Sequence, residues 1–174
     1  MPLFKIEKID KGWNKILEEL AKVNKSHVDC GMLSTAGKTK EGFDLVALAT
    51  VQEFGNDKIP SRPFMRTTFG DSIQKIYKFL EKEYDKILSG KTDTYTALET
   101  LGVWYTNRIK KQITSGPWVP NAPSTLLANW RKKHRGIITK GEALQNQSGF
   151  GVTKKPLIDT SVMRNSLTHI VVKS

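Results

Sequence analysis

Cysteine is almost absent: Cys30 stands alone in 174 residues, so a chain of this kind builds neither an internal disulfide nor a cysteine-cluster metal site. Histidine is also scarce. His27, His134 and His169 lie far apart, and none stands at metal-ligand spacing with a carboxylate. No apolar run approaches the roughly 20 residues needed to cross a membrane. The opening Met1-Pro2-Leu3-Phe4-Lys5-Ile6-Glu7 lacks the long apolar region of a secretory signal. Cytosolic synthesis without membrane contact is expected. Acidic residues are missing altogether between Thr100 and Gly141, while Arg108, Lys110, Lys111, Arg131, Lys132, Lys133, Arg135 and Lys140 all fall there. Within a net charge of +11, that segregation points to double-stranded nucleic acid or an acidic protein surface as a partner.

Catalytic patterns are missing as well. Gly37-Lys38-Thr39 and Gly90-Lys91-Thr92 suggest a phosphate loop, but the required glycine five residues earlier is Met32 in one case and Asp85 in the other. Ser72 and Lys75 have the spacing of a nucleophile and its base, yet sit within a helical pattern without supporting motifs. The chain is therefore expected not to be an enzyme and to need no cofactor or metal.

What is present reads as one α+β domain over residues 1–174, 38% hydrophobic and long enough for a core. Trp13, Ile16, Leu17, Leu20 and Val23 recur at helical spacing between Asp10 and Lys25. Val28, Cys30 and Met32 alternate as in a half-buried strand over His27–Leu33, where Cys30 is expected to be a packed thiol. Asp44 can cap a helix running to Phe54, and Gly55 can stop it. Ile59-Pro60-Ser61-Arg62-Pro63-Phe64-Met65-Arg66 reads as a stiff extended arm.

A long helical hairpin follows. Ile73, Ile76, Tyr77, Leu80, Tyr84 and Ile87 form the stripe of its first helix, and Ala97, Leu98, Leu101, Tyr105, Ile109 and Ile113 that of its second. Both stripes, aromatics included, are expected to be core. Thr92 or Asp93 can cap the second helix.

Trp118-Val119-Pro120-Asn121-Ala122-Pro123 is a second Pro-pinned arm. Ser124 can cap a short basic helix over residues 125–133, and residues 136–153 read as a mobile loop. Near the end, Asp159, Thr160 and Ser161 can cap a single turn over Val162–Ser166. The β-rich run Leu167–Val172 is the natural antiparallel partner of the strand at His27.

Three punctuated segments stand in order: Gln52-Glu53-Phe54-Gly55 leading to Ile59-Pro60-Ser61-Arg62-Pro63-Phe64-Met65-Arg66; Trp118-x-Pro120-Asn121-Ala122-Pro123-Ser124-Thr125-Leu126; and Pro156-Leu157-Ile158-Asp159-Thr160 with Met163-Arg164-Asn165-Ser166-Leu167. In this arrangement the chain, from about Ala47 to Val172, resembles the neck or tail-completion proteins of tailed bacteriophages. It is similar to the minor tail protein Z family of lambda-like phages and the virion morphogenesis proteins of Mu-like phages. It departs from them at Ser161, where the family usually has glycine, and in the length of the loop at 136–153.

The resemblance implies a structural virion protein at the head-to-tail joint, assembled in the host cytoplasm as a homo-oligomeric ring of six around the DNA channel. Other neck, head-closure and tail-tube proteins would be its neighbours. Subunit contacts are then expected from Phe54, Arg62, Phe64, Met65, Arg66, Trp118, Leu157 and Arg164. Contact with DNA or an acidic partner is expected from Arg108, Lys110, Lys111, Arg131, Lys132, Lys133, Arg135 and Lys140. Two other roles fit the same residues: a tail terminator capping the tube, and a basic DNA-binding module, to which the Trp130 beside the basic cluster would contribute.

Overall fold

The computed structural model describes residues 12–122, 124–125, 157 and 161–173. Within them the chain is α+β, a two-stranded antiparallel sheet packed with helices. Helix α1 spans Trp13–Val23, strand β1 His27–Gly31, α2 Leu45–Phe54, α3 Phe64–Leu88 and α4 Thr94–Ser115. A one-turn helix α5, Val162–Asn165, leads into the closing strand β2, Thr168–Val172.

The sheet joins the two ends of the described chain. His27 pairs with Val172, Cys30 with His169 and Gly31 with Thr168. Alternation turns Val28, Cys30, His169 and Val171 inward, where α4 covers them. Helix and sheet can approach this closely because Gly102 has no side chain: a Cβ there would run into the His169 ring and sit 3.0 Å from Val28 Cγ2. Burial pushes the Cys30 thiol up from its ordinary pKa, which suits a packed and unreactive cysteine.

Several ends form as their local chemistry requires. Asp44 accepts from Ala47 N at 2.9 Å to start α2, and Gly55 ends it at φ 76°. Asp93 accepts from Tyr95 N and Thr96 N to start α4. α1 is secured differently. Its one buried residue is Glu19, whose carboxylate accepts from Thr94 N and Thr94 Oγ1, both at 2.9 Å. Lys22 and these bonds hold the Glu19 carboxyl below the usual range.

Four expectations need correction. The first arm does not stay extended through Arg66: Pro63 is the N-cap of α3, so Phe64, Met65 and Arg66 form its first turn. Proline fits there because the first turn lacks acceptors for its N–H groups in any case. α1 is shorter than expected and leaves Trp13 and Leu17 exposed. The stripe on the first hairpin helix is only partly core, since Tyr77, Leu80 and Tyr84 are exposed while Ile87 is buried. Finally, Ser161 caps α5 with no side-chain hydrogen bond; Asp159 and Thr160 lie outside the described residues.

Ser161 is the one described non-glycine residue at positive φ, 57°. L-residues avoid that left-handed region, and glycine enters it freely. Ser161→Gly is therefore expected to raise stability by up to about 1 kcal/mol, a Tm gain of roughly 2–4 °C readable by calorimetry. A lower Tm would show that the hydroxyl contributes more than the backbone conformation costs.

Candidate subunit interface

The hydrophobic core lies at the C-terminal half of α4. Ile109 and Ile113 meet Leu45 and Ala49 of α2, Phe64 at the start of α3, and Leu157, Met163 and Leu167 from the end of the chain. Met32, Met65, Tyr105 and Trp118 pack around them. All three punctuated segments of the sequence thus contribute to one place.

Polar bonds tie the same segments together. Glu53, 4% exposed, closes the last turn of α2 and caps α3 from outside that helix. Its carboxylate accepts from Met65 N at 2.9 Å and Arg66 N at 3.0 Å. Those are two of the donors a helix start leaves without partners, and a negative charge there suits the helix dipole. Arg66 Nε adds a bond to the same oxygen at 3.1 Å, and Ser61 Oγ donates to the Glu53 carbonyl at 2.8 Å. Gly55 makes this turn possible, because a Cβ would sit 2.7 Å from Ser61 N.

Arg62 is 2% exposed and reaches the second arm. Its Nε donates to Val119 O at 2.9 Å, one terminal nitrogen to Gln52 Oε1 at 2.6 Å, and the other to Asn121 Oδ1 at 3.1 Å. Among the described residues no carboxylate pairs with it. Burial lowers its pKa from the ordinary guanidinium value.

The residues expected at subunit contacts therefore divide. Phe64, fully buried, and Arg62 and Leu157, nearly so, are inside the protomer and not available to a neighbour. The reason is that Pro63 starts a helix and turns Phe64 under α4. Met65 and Trp118 are half-buried against the core, with Trp118 Nε1 donating to Gln112 O at 3.2 Å. Arg164 is half-buried, its guanidinium 3.5 Å from Thr114 Oγ1. At the surface are Phe54, 63% exposed, and Arg66, which lies over the Phe54 ring at 4.7 Å.

The structure adds a surface that periodicity alone had assigned to the core. Phe69, Tyr77, Leu80, Tyr84 and Leu88 are exposed along α3. Their spacing keeps them within about 100° of one another around the axis. The signal in the sequence is that α3 is apolar over more of its circumference than one covering helix can bury.

Of the basic residues, Arg108 is engaged internally: Nε donates to Ser72 Oγ at 2.8 Å, and the guanidinium lies 5.3 Å from the Trp104 ring. Ser72 is thus a buried acceptor. Lys110 is half-buried and Lys111 exposed. Arg131, Lys132, Lys133, Arg135 and Lys140 lie outside the described residues, as do the expected basic helix beyond Thr125 and the loop at 136–153.

Among the described residues no group of three His, Cys, Asp or Glu could hold a metal ion, and no helix is long and apolar enough to cross a membrane. His169 Nε2 lies 2.9 Å from Glu99 Oε1. No family model, curated protein or solved structure matches the chain.

Proposed function

We propose that the chain is a structural protein of the head-to-tail joint of a tailed bacteriophage, a neck or tail-completion subunit that forms a ring around the DNA channel and links tail to head. The observation that carries this reading is the convergence of the three segments on which the resemblance rests. Glu53, Arg62 and Arg66 bond the first segment to itself and to Val119 and Asn121 of the second. Leu157 and Met163 of the third complete the core beneath. Residues about 110 positions apart that hold one another in place form a structural signature, because each segment is useful only with the others. The left-handed Ser161, at a position where such proteins usually carry glycine, supports the same reading.

An exposed apolar stripe on α3 beside a basic chain of net charge +11 suits a subunit that meets copies of itself on one side and DNA or an acidic neighbour on another. The test is to add gold-labelled protein to isolated phage tails and image them. Label confined to the head-proximal end of the tail is the expected result. Label spread along the tube, or none bound, would contradict the assignment.

A further inference from the structure

The segment after α4 has no regular secondary structure, yet it is ordered from within. Gly116 leaves the helix at φ −65°, ψ 150°, the geometry of a polyproline II helix. Pro117 and Pro120 follow at a spacing of three, and Pro123 continues it in sequence. Three residues make one polyproline II turn, so that spacing aligns them on one side. Arg62 grips this segment through the Val119 carbonyl and the Asn121 amide. Because the grip falls on those groups, the Val119 side chain stays 53% exposed, and Pro117, Pro120 and Ala122 are exposed with it.

We propose that residues 117–122 form a pre-ordered proline ridge that docks on the Tyr77–Leu80–Tyr84 stripe of a second copy of this chain. The inference rests on the ring reading and names its contact. Proline-rich polyproline II segments dock on aromatic-lined surfaces, and their ordering cost is small when the bound shape exists beforehand. Arg62 is the positioning residue that supplies this order. The ridge cannot serve its own stripe: Arg62 holds it at the start of α3, and Tyr84 lies 20 residues further along than Phe64, about 30 Å at 1.5 Å per residue. Ridge and stripe are therefore two different surfaces of one molecule. A head-to-tail contact that closes into a ring requires two such surfaces.

The test uses full-length chains and light scattering. Pro120→Asp damages the ridge, and Tyr77→Asp with Tyr84→Asp damages the stripe; all three side chains are exposed, so Tm should stay within about 2 °C of the parent. Each variant alone is expected at monomer mass. An equimolar mixture has one intact ridge facing one intact stripe and is expected to stop at a dimer. Asn121→Ala should weaken wild-type association about tenfold and speed chymotryptic cleavage after Trp118. Asn121→Asp, which keeps an acceptor for Arg62, should restore both. Rings formed by either surface variant, or a mixture that stays monomeric, would overturn the docking while leaving the ring reading intact. A wild-type chain that remains a monomer with and without tails would instead remove the ring reading, and the docking with it.

Discussion

Replacing Phe64 with alanine is expected to destabilise the isolated chain by about 3–5 kcal/mol, lowering Tm by roughly 10 °C or more. The side chain is fully buried and packs with residues of α2, α4 and the last turn. Truncation removes the transfer free energy of the ring and leaves a cavity that α4 and α5 cannot both close. Thermal unfolding at a concentration where the protein is monomeric measures this directly. Were Phe64 instead a contact between copies, Tm of the monomer would not move and only assembly would suffer.

The second large effect is expected at Glu53. Glu53→Ala removes the acceptor for Met65 N and Arg66 N at a site too buried for water to replace it freely. A cost of about 3 kcal/mol follows from two orphaned donors and the lost cap. The Arg66 pair adds little, since that guanidinium is 58% exposed. Glu53→Gln keeps one acceptor oxygen and should recover about half of the loss. Chemical denaturation of the two variants beside the parent gives the comparison. An alanine variant within 1 kcal/mol of the parent would mean that α3 starts without help from α2.

These two residues also mark where the sequence was readable and where it was not. Strand alternation in His27–Gly31 and the β-rich close at Thr168–Val172 were enough to pair the ends, and the register runs as expected from His27 with Val172. Asp44, Gly55 and Asp93 act within a few residues of themselves, so their roles were legible. Glu53 and Glu19 cap helices that begin 11 and 75 residues later, and no local pattern announces a partner at that distance. Pro60 and Pro63 read as a stiff extension, but proline is equally at home at a helix start, which is why Phe64 faces the core rather than a neighbour. The α3 stripe misled for another reason. Period alone tells which side chains share a face, not whether anything in the same chain covers it.

The account stands or falls on association of identical copies. Light scattering of the purified chain, alone and in the presence of isolated tails, measures it most directly. A species of about six times the 19.6 kDa subunit, in solution or on the tail end, is the predicted result. A single-chain mass under both conditions would contradict it.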